Sequence, residues 1–358
     1  MKALLLISIL WWSTIFSAIA YATPSLSGGF WMNYQYIQDN DVEEDTLGTV
    51  NSEALVLYAD SKSEDMKWQF SAELRLGPGS FTNSSNNSTG DSYTLHKAWI
   101  SHSLTDQSSL VLGKSQVPFG WATGNFWPGD MFQAGYGDQM DVGVKWVSRQ
   151  TIDVALAFYH ADDWGGTSTD TTDDNNHWGS STTYRKLHTL VGDIKYPVNE
   201  NHSIGFSYQV GKLQDLSATR DPSDSITGDH QAWVLYYEGK LAAKTTIKGE
   251  YISASRDIPD AYAVTSGLTE TIENSRIAVE VNHDFDNWSV YVDVMMADPN
   301  TSGNAADTIT AYAPGARYDY GPGWIYIEWL DQDGYIDADG LISEGDFTAL
   351  YTTIDYYF

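Results

Sequence analysis

The chain has 358 residues, no cysteine, and 48 Asp and Glu against 19 Lys and Arg, for a formal charge of −29. The lack of cysteine excludes disulfides, thiolate metal sites and cysteine nucleophiles. So acidic a balance argues against nucleic acid and anionic lipid headgroups as partners and favours cations.

At the N-terminus, Met1-Lys-Ala-Leu-Leu-Leu-Ile-Ser-Ile-Leu-Trp-Trp12 joins a positive start to a short apolar run, and Ala20-Tyr-Ala22 has the small-x-small form of a signal-peptidase site. Residues 1–22 are therefore read as an export signal and 23–358 as one mature domain. No later segment offers about 18 consecutive apolar residues, which argues against a helical membrane protein.

Past the signal, strand-like stretches are expected at 27–37, 52–60, 66–76, 92–104, 108–117, 139–147, 151–161, 185–197, 202–213, 230–241, 245–256, 273–285, 288–297, 308–320, 323–330 and 346–358. Two kinds of connector take turns between them. Ser61–Asp65, Thr105–Gln107, Ser148–Gln150, Asn199–Asn201, Ala242–Lys244, Asp286–Asn287 and Gly321–Gly323 are short. The segments 38–51, 77–91, 118–138, 162–184, 214–229, 257–272, 298–307 and 331–345 are long and polar. Short turns at one rim and long loops at the other are the pattern of an all-β transmembrane antiparallel up-and-down barrel, here with about 16 strands. The 14 Trp and 23 Tyr suit the aromatic girdles of such a barrel.

Alternation sets the two faces. Ile152-Val154-Leu156-Phe158, Ile204-Phe206-Tyr208-Val210, Ile277-Val279-Val281, Val290-Val292-Val294 and Ile325-Ile327-Trp329 are expected to face lipid. In the opposite phase, Lys67, Glu73, Arg75, Lys145, Asp153, Lys248, Glu250, Arg276, Glu280, Asp293 and Glu328 are expected to line a hydrated lumen, because charge on the lipid face is costly. In 52–60, 92–104, 108–117 and 185–197 both phases carry polar residues, and the register stays open. Sixteen strands leave a water-filled channel, whose selectivity comes from its width and lining charge.

Catalytic and metal chemistry is weakly signalled. His102-Ser103, His202-Ser203 and Asp229-His230 are adjacent on strands, so their side chains point to opposite faces and cannot act together. No catalytic residue and no cofactor is expected, although a barrel lipase or protease and a surface adhesin are the alternatives. In the last long connector, Asp337, Asp339, Gly340, Ile342 and Asp346 fall at places of an EF-hand loop, but Tyr335 stands where the first ligand belongs. Residues 331–346 are thus a candidate Ca²⁺ segment.

The final strand, Asp346–Phe358, closes the chain on an aromatic and resembles the last strand of Gram-negative outer-membrane β-barrels. Leu110-Val-Leu-Gly-Lys-Ser-Gln-Val-Pro-Phe-Gly120 resembles the Gly-x-x-x-x-Pro-Phe-Gly segment of the phosphate-selective porin O and P family. That resemblance implies an outer-membrane location and a homotrimer surrounded by lipid and lipopolysaccharide. It also implies a third loop folded inward, so that Trp121, Phe126, Trp127, Asp130, Phe132 and Asp138 would constrict the pore. Phosphate selectivity in that family depends on basic residues gathered in the pore, and the acidic balance here does not carry it over. The resulting expectation is a passive diffusion porin for small hydrophilic solutes and ions, weakly cation-preferring and narrowed by residues 118–138.

Overall fold

The computed structural model describes residues 24–38, 47–77, 93–120, 140–161, 184–215, 225–259, 271–336 and 340–358. They form sixteen strands: β1 Ser25–Gln38, β2 Thr49–Lys62, β3 Trp68–Leu76, β4 Tyr93–Thr105, β5 Ser108–Gln116, β6 Met140–Arg149, β7 Asp153–Ala161 and β8 Tyr184–Asn199, followed by β9 His202–Asp215, β10 Ile226–Ala242, β11 Thr245–Asp257, β12 Thr271–Phe285, β13 Trp288–Pro299, β14 Ile309–Asp319, β15 Trp324–Ile336 and β16 Ile342–Tyr357. Every strand pairs antiparallel with its neighbours in sequence, and β1 pairs with β16 to close the barrel. Closure leaves no sheet edge, so every strand's backbone groups can be paired within the wall, as a lipid interior demands.

The seam between the termini is tight. The Gly28 N–H donates to the Phe358 carbonyl at 3.0 Å, and the Phe358 N–H donates to the Gly28 carbonyl at 2.9 Å. Gly28 is required there, because a Cβ would stand 2.7 Å from the Phe358 ring and 2.8 Å from the Val56 carbonyl. The expected alternation of the last strand holds, with Thr353 and Asp355 buried on the inside and Ile354 and Tyr356 exposed outside.

The expected lipid-facing sets lie on the outer wall. Leu156, Phe158, Ile204, Phe206, Tyr208, Ile277, Val279, Val294 and Ile327 are all exposed, and Leu190, Leu235 and Met296 extend the same belt. Leu235 keeps 54% of its surface accessible, a waste of apolar area in water but the proper arrangement in lipid. Aromatic pairs such as Trp288–Tyr318 and Trp233–Tyr251, with ring centroids 4.8 and 5.2 Å apart, pack on this outer face.

Most strand limits shift by a few residues from expectation, and three of the shifts matter for the site. β15 runs on to Ile336 and β16 begins at Ile342, with Tyr335 paired to Ser343 and Ile336 to Ile342. Most of 331–345 is therefore an extended hairpin, in which Gln332, Gly334 and Ile336 are buried on the inner side while Asp331, Asp333 and Tyr335 are exposed on the other. β3 begins at Trp68, so Lys67 is not a wall residue. It lies in the periplasmic turn, where Met66 adopts a φ of 59° and the Asp65 carboxylate accepts from the Ser63 hydroxyl at 2.6 Å and the Lys67 N–H at 3.1 Å. These bonds hold the Asp65 carboxyl below its ordinary pKa.

Candidate functional site

The inner wall carries charge in both signs. Glu73, Glu250, Arg276, Glu280, Asp293 and Glu328 are all buried on the inner face, as expected. Arg75 bonds to Glu73 at 2.8 Å and stands over the Trp31 ring, and Lys248 pairs with Glu280 at 3.2 Å. Lys145 turns inward and donates to the Gln116 carbonyl at 2.7 Å, while Asp153 sits at the periplasmic end of β7 in the inward phase.

The inward phase also holds Asp193, Lys195, Glu238, Arg317 and Asp355, which were not singled out from sequence. Lys195 and Glu238 pair at 2.5 Å between β8 and β10. The Tyr236 hydroxyl donates to Asp193 at 3.0 Å, and the Tyr291 hydroxyl donates to Glu328 at 2.5 Å. Both tyrosines lie over glycines paired with them across the strands, Gly205 and Gly315, where a Cβ would meet the ring within 2.4 Å. Asp193 and Lys195 lie in 185–197, where polar residues in both phases left the face open, and Glu238, Arg317 and Asp355 stand in strands where no charged residue had been assigned to the lumen.

The wall is not polar throughout. Val234, Ile252, Ala278, Met295, Ala297, Ala311, Ala313 and Leu330 face inward and are buried in one apolar cluster with Val117 and Phe119. The last two belong to the segment leaving β5, and they account for the Gly-x-x-x-x-Pro-Phe-Gly motif physically. Gly113 has a φ of 118°, and a Cβ there would lie 2.4 Å from the Ala98 carbonyl. Phe119 is only 2% exposed. Gly120 has a φ of 68°, and its N–H donates to the Ser207 hydroxyl at 3.0 Å.

Ser207 lies on β9, four strands round the barrel from β5, and is fully buried on the inner face. Its hydroxyl in turn donates to Asp193 at 2.6 Å. The chain at 117–120 therefore turns into the lumen and is fastened to the inner wall at β9, a quarter of the way round from β5. Trp121, Phe126, Trp127, Asp130, Phe132 and Asp138 lie outside the described residues.

A second inward contact lies at the extracellular mouth. The Asn274 side chain donates to the Gly340 carbonyl at 2.7 Å, and Leu341 packs on Tyr184, Leu213, Ile258 and Ile272. Gly340 and Leu341, just before β16, thus lie against the ends of β8, β9, β11 and β12. Asp337 and Asp339 of the candidate Ca²⁺ segment lie outside the described residues, and Ile342–Asp346 is paired strand rather than a curled loop. Among the described residues no group of three or more His, Asp or Glu could hold a metal ion.

No protein-family profile and no curated protein matches the chain. Solved structures do. OmpF of Salmonella typhi, in complex with daunomycin, matches with a TM-score of 0.64 at 9% identity, over 94% of this chain and 98% of the other. OmpT of Vibrio cholerae, an outer membrane protein, matches with a TM-score of 0.62 at 13% identity, over 94% and 97%. An anion-selective porin from Comamonas acidovorans matches with a TM-score of 0.59 at 11% identity, over 94% and 100%. With its apolar outer belt and closed sixteen-strand wall, the chain is a membrane-spanning barrel with the fold of the outer-membrane porins.

Proposed function

We propose that this protein is a passive diffusion porin of the Gram-negative outer membrane, admitting small hydrophilic solutes and ions. The observation that carries the reading is the Gly120–Ser207 hydrogen bond, which brings the segment leaving β5 into the lumen. A loop fastened to the inner wall narrows a channel without closing it, so residues 118–138 form the constriction. The segment that resembles the porin O and P family is the one that turns inward, which supports that resemblance at the level of the loop. Solutes pass by size and charge, with no cofactor and no catalytic step. Residues 1–22 act as the export signal, and the barrel works as a homotrimer among lipid and lipopolysaccharide. Freely diffusing solutes and ions are the ligands of this reading.

The cation preference is weak and arises at the mouth. Along the described wall, Arg75, Lys145, Lys195, Lys248, Arg276 and Arg317 offset much of the inward carboxylate charge. The acidic excess shows at the extracellular strand ends, where Asp257, Glu273, Asp298, Asp307, Asp331, Asp333, Glu344 and Asp346 are exposed. Planar-bilayer recording with a reversal potential in asymmetric KCl tests both parts. Stepwise conductance with a small cation preference is expected; absence of steps would sink the porin reading, and anion selectivity would sink the charge argument. Shortening 121–138 is expected to raise the unit conductance. Lipase and protease assays on the purified barrel, expected blank, test the enzymatic alternative.

A further inference from the structure

On the outer wall, one residue short of the extracellular end of β7, two histidines face each other. Tyr159 pairs with Thr189 and Ala161 with Leu187, so His160 and His188 stand directly opposite on adjacent antiparallel strands. His160 continues the outward phase of Leu156 and Phe158, and both imidazoles are exposed. Their ring centroids are 5.1 Å apart, with the planes inclined at 42°. His188 stands there with a left-handed φ of 52°, a conformation uncommon for any residue but glycine.

Two observations point to a metal ion rather than to ordinary ring packing. The ring nitrogens are available: His202 and His283 each engage a hydroxyl through Nδ1, that of Tyr237 at 2.6 Å and that of Thr245 at 2.9 Å, whereas His160 and His188 make no hydrogen bond to any described residue. The spacing also fits. With metal–nitrogen bonds of about 2.0–2.1 Å and each ring centre about 1.1 Å behind its nitrogen, two imidazoles on one tetrahedral ion stand about 5 Å apart. Imidazole suits Zn²⁺, Cu²⁺ and Ni²⁺, whereas the carboxylates of the rim suit Mg²⁺ and Ca²⁺.

We infer that His160 and His188 form a surface site for a divalent ion of the Zn²⁺ class, held by the two imidazoles and completed by water. A bound ion ties β7 to β8 near the extracellular rim. The site lies outside the lumen, so it is independent of the channel reading.

Cu²⁺ titrated into the purified barrel in detergent, with excess Mg²⁺ present to occupy carboxylates, tests this by pulsed electron paramagnetic resonance, which counts coordinated imidazoles. At one equivalent, two imidazoles per ion are expected in the wild type, and one in His160→Gln or in His188→Asn, the latter because Asn tolerates the left-handed conformation. By calorimetry each variant is expected to bind Zn²⁺ roughly tenfold or more weakly, since even the outer-shell partners of metal ligands are worth that much. A wild-type spectrum with one imidazole or none would overturn the inference. Unchanged Zn²⁺ affinity in both variants would overturn it too, because the ion would then lie elsewhere. The wild-type spectrum decides even if a variant fails to assemble.

Discussion

Ser207 fastens the segment that leaves β5 to the inner wall of the barrel. Its hydroxyl accepts from the Gly120 N–H and donates to Asp193, which also receives the Tyr236 hydroxyl. Ser207→Ala removes the acceptor of one loop–wall bond, worth about 0.5–1.5 kcal/mol. The barrel keeps its interstrand ladder, so thermal unfolding should be unchanged while open-channel noise and mean conductance rise. A silent trace would mean that the apolar seat of Phe119 holds the segment alone. At the opposite rim, Asp65 is held ionised by Ser63 and the Lys67 N–H. Because its folded pKa is depressed, its support for the turn is complete above the unfolded value, about 3.9, and disappears as pH falls through the lower folded value. NMR titration of the Asp65 carboxyl should give a midpoint below that of a free aspartate, and Ser63→Ala should raise it.

Each strand separates two solvents, so the same substitution has opposite consequences on its two faces. Leu235, exposed on the lipid side of β10, and Thr246, lining the lumen on β11, provide the contrast. Leu235→Arg should cost about 2–4 kcal/mol if it sits near the midplane, seen as a lower denaturant midpoint in lipid vesicles, whereas Thr246→Arg should leave stability nearly unchanged and alter conductance. Comparable losses at both sites would contradict the assignment of faces. Those faces were legible wherever alternation ran unbroken, as in Ile204-Phe206-Tyr208-Val210. They were not legible in 52–60, 92–104 and 185–197, and register shifts explain why. An extra residue enters β2 opposite Trp31–Asn33, His96 is the extra residue opposite Glu73–Leu74, and β8 gains one between Leu187 and Leu190, where His188 has a φ of 52°. A bulge resets the period of two, so polar residues occupy both phases of the sequence while facing one side of the wall. In 108–117 the left-handed Gly113 interrupts regular extension. The apolar inner patch under Phe119 was hidden for another reason: Val234 and Ile252 read as lumen positions by phase, and only a segment from elsewhere in the chain makes their burial favourable.

For the molecule as a whole, the central question is where a charge of −29 acts. The described inner wall holds basic side chains beside its acidic ones, while exposed carboxylates stand at both rims, at the extracellular ends of β11–β16 and in the short turns, as at Asp65, Asp106, Glu200 and Asp286. Charges placed this way reach a permeating ion through solvent, and salt governs that reach. The Debye length is about 10 Å at 0.1 M and about 3 Å at 1 M. A preference generated at the rim should therefore fade between those two concentrations, whereas one generated by carboxylates in contact with the ion inside the lumen should largely persist, since buried charges are screened much less. Reversal potentials recorded across a fixed concentration ratio, first near 0.1 M and then near 1 M, separate the two. We expect the cation preference to fall toward neutrality at the higher salt, and Asp331→Asn with Asp333→Asn to reproduce part of that fall at the lower one. A preference that survives 1 M salt would move selectivity from the rim to the wall, and Glu250, Glu280 and Asp293 would then be its source.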